Sequence, residues 1–248
     1  MKKFATTLLI GALLAVGSAA QASDRIDASG FSLAWNDGYS LNGFQMNLLS
    51  DANGTARIAF DVGMHNYNLD TAQPGGGGDT GDSAWHQLAG SVQQGYRITS
   101  MTLSAVINGD LYLESRPCNN CWEMEGEASN RAGIEWSLTQ GGHKVTLPGS
   151  ELHNLIGQHT IELTAAQPLA PEFLLDISAY NFAKAVGTYQ EIWGSDWSSY
   201  HYLQASSSIA ITDYVLTVQV APVPEPSTYA MLLAGLGVAG WAVRRRKG

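Results

Sequence analysis

The sequence predicts a mostly β fold, namely a single-domain antiparallel β-sandwich or jelly-roll-like structure. Three observations support this prediction: short segments of alternating apolar and polar residues recur along the chain, glycine-rich turns separate them, and few segments have the spacing of an amphipathic helix. Alternation with a period of two places one face of a strand in a core and the other in solvent. Many such strands joined by short turns favour two packed antiparallel sheets.

Two segments predict β-hairpins. In the first, residues 101–107 alternate and are followed by Asn108 and Gly109, which readily adopt the positive φ that a tight turn requires. In the second, residues 133–138 and 144–147 flank a pair of glycines. Five further segments have strand patterns: residues 31–35, 56–62, 160–164, 173–179 and 209–220.

The segments between these strands predict irregular structure. Residues 71–82 include four consecutive glycines, which have high backbone entropy and no side chains to pack, so we expect a mobile surface loop inserted between strands of one domain. Residues 150–156 and 181–186 have the spacing of one or two helical turns. Three prolines within residues 221–226 predict a stiff linker at the end of the β-rich region.

The N-terminus has the pattern of a secretory signal peptide. Lys2 and Lys3 precede an apolar segment at residues 4–16, and Ala20 and Ala22 form a cleavage site of small residues. We therefore assign residues 1–22 to a signal helix that is removed on export. The β-rich extracytoplasmic domain is then expected to span residues 23–220.

Residues 228–243 predict a single C-terminal transmembrane helix. These 16 residues are uncharged and mostly apolar, and as a helix they would extend about 24 Å, slightly less than the ~30 Å hydrocarbon core of a bilayer. A basic cluster follows at once, and such a cluster is retained on the cytoplasmic side. Its members are Arg244, Arg245, Arg246 and Lys247.

Residues 221–248 as a whole resemble the PEP-CTERM sorting signal of Gram-negative bacteria. The resemblance rests on Pro224, Glu225 and Pro226, on the apolar segment, and on the Arg-rich end. It implies that the tripeptide is recognised by exosortase, a membrane-embedded cysteine transpeptidase, while Arg244 to Lys247 retain the chain at the inner membrane. The protein would then be a membrane-anchored intermediate that is processed and delivered to the cell surface or the medium.

Charge excludes one class of partner. Without the two targeting segments, seven Lys and Arg residues remain against 21 Asp and Glu residues, a formal charge of −14. A surface this acidic lacks the basic stripe that neutralises phosphates, so nucleic-acid binding is not expected, and adhesion of the domain to anionic lipid is disfavoured.

The chain has two cysteines, Cys118 and Cys121, and export would place both in an oxidising compartment. The expected state is a disulfide that closes a very short loop. A redox site is the first alternative, although the acidic neighbours of the pair disfavour a thiolate. A zinc site is the second, and it would need two further ligands from the three candidate histidines. These are His143, His153 and His159.

Besides zinc, the sequence allows calcium as a cofactor. Asp79 and Asp82 lie in the glycine-rich segment, where carboxylates beside flexible backbone could collect around a hard cation. Calcium takes six to eight oxygen ligands, however, and no EF-hand pattern is present. Turn chemistry explains these aspartates without a metal, so we expect no cofactor unless calcium binds here.

An aromatic segment supplies the candidate binding residues. Trp193, Trp197 and Tyr200 lie close to Glu191 and Asp196. Rings of this kind usually pack in a core or a turn, which is the expectation here; exposed rings would instead stack on sugars, with the carboxylates accepting hydrogen bonds from hydroxyl groups.

No nucleophile elbow, phosphate loop or zinc-protease helix motif is present. The leading hypothesis is a non-enzymatic structural or binding component of the cell envelope, biofilm or exopolysaccharide matrix, with carbohydrate as its candidate ligand. The alternative is a secreted hydrolase acting on glycans or esters, which would need a second carboxylate beside Glu191 or Asp196.

Overall fold

The computed structural model describes residues 24–36, 45–60, 63–71, 77–117, 121–123, 125–224, 231, 233–236 and 245. Within these residues the chain forms sixteen strands. In chain order they are β1 Arg25–Ala28, β2 Phe31–Trp35, β3 Met46–Ala52, β4 Thr55–Phe60, β5 Tyr67–Asp70, β6 Gly77–Val92, β7 Tyr96–Leu113, β8 Cys121–Glu123, β9 Glu127–Gln140, β10 His143–Thr146, β11 Ser150–His153, β12 Gly157–Ala165, β13 Glu172–Val186, β14 Thr188–Trp193, β15 Ser198–Leu203 and β16 Ala205–Pro222. The predicted signal segment 1–22 lies outside the described residues.

The strands form three sheets, and the pairings among the described strands are antiparallel. Sheet A has the order β12-β7-β16-β4-β3, with β5 also paired to β16. Sheet B has the order β1-β2-β6-β13-β9-β10, with β11 paired to β9, and the small sheet C has the order β15-β14-β8. The prediction of a mostly β, antiparallel fold is confirmed, and the arrangement is consistent with a sandwich.

Sheets A and B enclose one apolar cluster. Leu103 and Leu216 from sheet A are fully buried, as are Ile177 and Trp136 from sheet B. The alternation along each long strand is what delivers these side chains to the same layer, since residues two apart share a face. The indole Nε1 of Trp136 donates a 2.9 Å hydrogen bond to the carbonyl of Pro148, so this ring is buried with its polar atom satisfied.

Of the two predicted hairpins, the second is confirmed and the first is wrong. Strands β9 and β10 pair around Gly141 and Gly142, which have positive φ. In contrast, β7 continues through Asn108 and Gly109, because Gly109 pairs with Gly157 of β12 on one side and with Ile209 of β16 on the other. Pairing on both sides holds this dipeptide extended.

The glycine-rich segment also differs from its prediction. Gly77 to Asp82 are not a loop but the beginning of β6, paired with β13 from Val186 to Asn181. A Cβ atom on Gly77 would lie 2.7 Å from the Ala185 carbonyl oxygen, so the absence of a side chain permits this close approach. Residues 72–76 lie outside the described residues.

Three shorter predictions are corrected as well. The segments expected as helical turns are strands: residues 150–153 form β11, and residues 181–186 complete β13. Ala221 and Pro222, predicted as linker, belong to β16. In each case pairing with a neighbouring strand supplies backbone hydrogen bonds that outweigh a weak local preference for a turn or coil.

Candidate functional site: an exposed aromatic face on sheet C

Sheet C continues from one end of the sandwich. A single residue, Gly187, joins β13 of sheet B to β14, and Gln204 joins β15 to β16 of sheet A. The junction is held by Thr71, whose hydroxyl donates to the Ala205 carbonyl at 3.0 Å and accepts from the Ala205 amide at 2.9 Å. A Cβ on Gly187 would lie 2.6 Å from this hydroxyl oxygen, so the junction depends on a glycine.

Register assigns the aromatic side chains of sheet C to one face. Tyr189 is paired directly with Tyr202, and Glu191 is paired with Tyr200 on one side and with Trp122 on the other. Directly paired residues, and residues two apart, project from the same face of an antiparallel sheet. We call this surface the open face of sheet C; it consists of Trp122, Tyr189, Glu191, Trp193, Tyr200 and Tyr202.

The rings of the open face are accessible to solvent. The exposed fractions are 47% for Trp122 and Trp193, 53% for Tyr200 and 55% for Tyr202. Tyr189 is half-buried between its neighbours, with its ring centroid 5.9 Å from that of Trp122 and 5.5 Å from that of Tyr200. The expectation of core packing is therefore wrong for Trp193 and Tyr200, because the face that carries them has no layer of protein over it in the part of the chain described.

The opposite face of sheet C is partly covered, and Gln190 is one of its buried residues on β14. Gln190 is 2% exposed, and its side-chain nitrogen donates to the Arg116 carbonyl at 3.0 Å. The Arg116 side chain forms a 2.8 Å ion pair with Glu114 and lies 3.3 Å from Nδ1 of His201. The segment after β7 thus packs against the face of sheet C opposite the aromatic side chains.

Glu191 is the carboxylate at the centre of the open face. The hydroxyl of Tyr200 donates to Oε1 of Glu191 at 3.2 Å. The negative charge of Glu191, and then this hydrogen bond, raise the pKa of Tyr200 above its ordinary value, because ionising the phenol would place two negative charges side by side. This hydrogen bond places the Glu191 carboxylate beside the Tyr200 ring.

Trp197 and Asp196 lie in the turn between β14 and β15. The Gly194 amide donates to the Trp197 carbonyl at 2.8 Å, and a Cβ on Gly194 would lie 2.4 Å from the indole ring. Trp197 therefore packs across the turn backbone, as expected for turn packing, yet it remains 61% exposed. Asp196 accepts a 3.4 Å hydrogen bond from Ser195.

The C-terminal segment leaves the sandwich at the other end. Strand β16 pairs with β7 as far as Pro222 opposite Tyr96, and the Val223 amide then donates to the Gly95 carbonyl at 2.7 Å. Pro224 follows directly. Of the remaining predicted sorting residues, Glu225, Pro226, Arg244, Arg246 and Lys247 lie outside the described residues.

A family model described as the PEP-CTERM protein-sorting motif matches residues 222–247. The chain carries a PEP-CTERM sorting motif. This motif implies export, processing by exosortase and sorting to the cell envelope or surface of a Gram-negative bacterium. The predicted resemblance of the C-terminal segment is confirmed at the positions where the sequence placed it.

Two further comparisons concern the whole chain of this PEP-CTERM protein. No curated protein matches the chain. Among solved structures, the family 11 xylanase from Neocallimastix patriciarum aligns with 76% of this chain and 94% of its own at 5% sequence identity, with a TM-score of 0.16. A TM-score this low does not indicate a shared fold.

The membrane helix expected in the PEP-CTERM segment stays a prediction. Met231 and residues 233–236 are helical, as is Arg245. Within the part of the chain that the structure describes, no helix has both the length and the apolar character that crossing a bilayer requires. Most of residues 228–243 lie outside the described residues.

The outer face of sheet B carries a second group of polar and aromatic side chains. Tyr180 lies across Gly133, where a Cβ would be 2.5 Å from its ring. Burial, followed by hydrogen bonding to Glu151 and the nearby charges of Glu151 and Glu135, raises the pKa of Tyr180 to about 12. On the same face, Trp85 is 51% exposed. Sequence reasoning missed this group, because only the pairing of β6, β9, β11 and β13 brings it together.

The calcium candidates are not adjacent in the structure. Asp79 and Asp82 are three residues apart in strand β6, so they project from opposite faces. Asp82 accepts hydrogen bonds from the ring and the backbone amide of His65, at 2.8 and 3.2 Å, and the ring contact is the main cause of its lowered pKa. Among the described residues, no group of three His, Cys, Asp or Glu side chains is placed to hold a metal ion.

The cysteine pair is described only in part. Cys121 begins β8 and pairs with Ile192, whereas Cys118 lies outside the described residues. The disulfide, the redox site and the zinc site with His143, His153 or His159 therefore stay predictions. The structure adds the position of Cys121, next to the tryptophan that completes the open face.

Proposed function

We propose that this PEP-CTERM protein is a non-enzymatic binding component of the exopolysaccharide or biofilm matrix, and that it holds carbohydrate on the open face of sheet C. The observation that carries the proposal is the set of solvent-exposed rings around Glu191. Aromatic faces stack on the apolar faces of sugar rings, and a carboxylate accepts hydrogen bonds from the hydroxyl groups at their edges.

The shape of the site favours a polymer over a single sugar. Trp122, Tyr200 and Tyr202 lie on three different positions of a small sheet, and Trp193 extends the surface toward the turn. A surface of this kind offers several stacking positions in a row, so that modest contributions from successive sugar units add up. A monosaccharide would contact only one or two of these rings.

The negative charge of the domain limits which polysaccharides it can bind. The mature domain has a formal charge of −14, and Glu191 lies within the open face. A polyanionic polysaccharide would be repelled by this field, whereas a neutral or amino-sugar polymer would not. We therefore expect a neutral or cationic glycan to be the ligand.

The test is a binding measurement on the purified mature domain with soluble neutral, amino-sugar and uronate polysaccharides. Trp193→Ala should weaken binding to the best ligand by about three- to tenfold, the loss expected for one stacking ring of roughly 1 kcal/mol. Trp85→Ala is the matched control, because it removes a tryptophan of similar exposure from sheet B. Binding that depends on Trp85 and not on Trp193 would place the site elsewhere, and no binding by any variant would remove the carbohydrate proposal.

The alternative function, a hydrolase acting on glycans or esters, is favoured by one observation on sheet B. Glu151 and Tyr180 are both paired with Gly133, and Glu135 lies two residues along β9 on the same face, so two carboxylates lie close to the Tyr180 ring. The residues paired with Glu191 are Tyr200 and Trp122, so register gives the open face of sheet C no second carboxylate at those positions. Release of reducing sugar that is lost in both Glu135→Gln and Glu151→Gln would establish this alternative.

A further inference from the structure

The folded domain reaches the sorting motif without a flexible linker. Backbone pairing between β16 and β7 extends to Pro222, and the next residue, Val223, is hydrogen-bonded to the carbonyl of Gly95. The recognition tripeptide begins with the residue after that, Pro224. The turn between β6 and β7 therefore holds the chain at Val223, directly before the first residue of the motif.

A surface cavity of about 470 Å³ lies beside this junction. None of its lining residues is charged, and most are apolar or aromatic; those that carry the argument are Val92, Tyr96, Leu169, Pro171, Val223 and Pro224. Tyr96 and Val223 are each more than 40% exposed. The cavity is thus continuous with the first residue of the motif and is lined by groups that a partner could bury.

We propose that exosortase docks on this cavity when it takes the sorting motif. Pro226 can lie at most about 14 Å along the chain from Pro222, because an extended chain advances roughly 3.5 Å per residue. An enzyme that holds the tripeptide must then bring its own surface against the turn at Gly95 and Tyr96. The recognised unit is therefore the tripeptide together with the end of the sandwich.

The chemistry of the cavity suits a membrane-embedded enzyme. The rest of the domain is strongly acidic, with a formal charge of −14, and most of its surface would be repelled by anionic lipid headgroups. An uncharged, apolar lining can approach the membrane surface and pack against a partner without a buried, unpaired charge.

The geometry also separates this contact from the proposed glycan site. Strand β16 has 18 residues, and its first residue adjoins sheet C whereas its last adjoins the cavity. At about 3.3 Å per residue the two ends lie roughly 56 Å apart along the strand. Docking of the enzyme at one end would leave the open face of sheet C accessible at the other.

The test is the rate at which the full-length precursor is processed in cells that contain exosortase, followed by intact mass. Tyr96→Ser removes the exposed ring, and Gln94→Trp fills the cavity from an exposed turn position without touching the core. Each should slow processing about fivefold or more, as expected for the loss of one anchoring contact in an interface. Tyr112→Ser is the matched control, since Tyr112 is a similarly exposed tyrosine at the opposite end of β7.

A spacer inserted before the motif tests the docking proposal independently. Four residues of Gly and Ser inserted between Val223 and Pro224 should slow processing as well, because they separate the tripeptide from the cavity. Processing of Gln94→Trp and of the spacer variant at the unmodified rate would overturn the proposal. Glycan binding is measured on the mature domain, so this result would leave the proposed function unaffected.

Discussion

Glu191 and Tyr200 occupy directly paired positions on β14 and β15, and the tyrosine hydroxyl donates a 3.2 Å hydrogen bond to the glutamate carboxylate. This contact holds the one carboxylate of the open face in a fixed place among the exposed rings. A stacking surface needs such a polar group to orient hydroxyls, because ring stacking alone has little directional preference.

The same contact predicts the titration of Tyr200. Its pKa is raised by the charge of Glu191 and by the hydrogen bond, so Glu191→Gln should lower the pKa of Tyr200 toward its ordinary value. Ultraviolet difference spectroscopy of phenolate formation would measure the shift, with Tyr200→Phe identifying the signal. An unchanged titration in Glu191→Gln would show that the two side chains do not interact in solution.

Asp176 is expected to be a major polar contributor to stability. It is 5% exposed on sheet B, and its oxygens accept from Gln87 at 2.7 Å, Ser137 at 3.0 Å and Lys144 at 3.0 Å. Asp176→Ala should lower the free energy of unfolding by about 2–4 kcal/mol, because it leaves these donors without their acceptor. Urea unfolding would measure the loss, and Glu172→Ala, at an exposed position of the same strand, should cost little.

Asp176 should also make the fold sensitive to acid. Burial raises its pKa, but the hydrogen bonds from Gln87, Lys144 and Ser137 outweigh burial and hold the pKa below 3.8. A carboxyl group whose pKa is lower in the folded than in the unfolded state stabilises the fold at pH values above its unfolded-state pKa. That stability is lost as the pH falls through the folded-state pKa. As the pH is lowered from neutral through the folded-state pKa of Asp176, the free energy of unfolding should therefore fall less for Asp176→Asn than for the unmodified protein. Parallel curves for the two proteins would contradict this assignment.

Gly90 is predicted to be irreplaceable in strand β6. A Cβ at this position would lie 2.0 Å from the ring of Phe173, which is 3% exposed and enclosed by the core. Gly90→Ala should destabilise the domain by roughly 2–3 kcal/mol or prevent folding, since a buried ring cannot move aside. Gly78→Ala, in the same strand with nothing within 4 Å of the added atom, should be neutral or slightly stabilising. Thermal unfolding compares the two.

The sorting motif gives a prediction about processing. Replacing Pro224, Glu225 and Pro226 by alanine should leave the protein exported but unprocessed, because the recognition tripeptide is lost while the rest of the segment is unchanged. Intact mass and C-terminal peptide mapping of the cell-associated protein would detect the retained C-terminal segment. Normal release of this variant would argue that the motif is not the processing signal.

The cysteine pair is predicted to fix β8 as well as to add stability. A disulfide between Cys118 and Cys121 closes so short a loop that Cys118→Ser should cost at most about 2 kcal/mol. Cys121 directly precedes Trp122 in β8. The same change should therefore weaken glycan binding by more than the small loss of stability alone would cause. Free-thiol titration of the exported protein establishes the bond itself, and two reactive thiols would rule it out.

Sequence periodicity predicted the strand class and located eight of the sixteen described strands, since alternation depends only on each segment having one buried face. It failed at Asn108 and Gly109 and at Gly77 to Asp82, where a local turn preference was outweighed by pairing with distant strands. It placed Trp193, Tyr200 and Glu191 close together along the chain but could not decide their exposure, and it could not connect Trp122 with them.

By itself, the sequence determined that the protein is β-rich and that it carries a PEP-CTERM sorting motif, because both depend on local patterns of residues. The strands follow from alternation with a period of two, and the motif from a tripeptide, an apolar segment and a basic end. The tertiary structure decided which face of sheet C is open and that sheet C and the sorting motif lie at opposite ends of β16. Those two properties depend on which strands pair and what covers them, and the pairing is set by contacts between residues far apart in the chain.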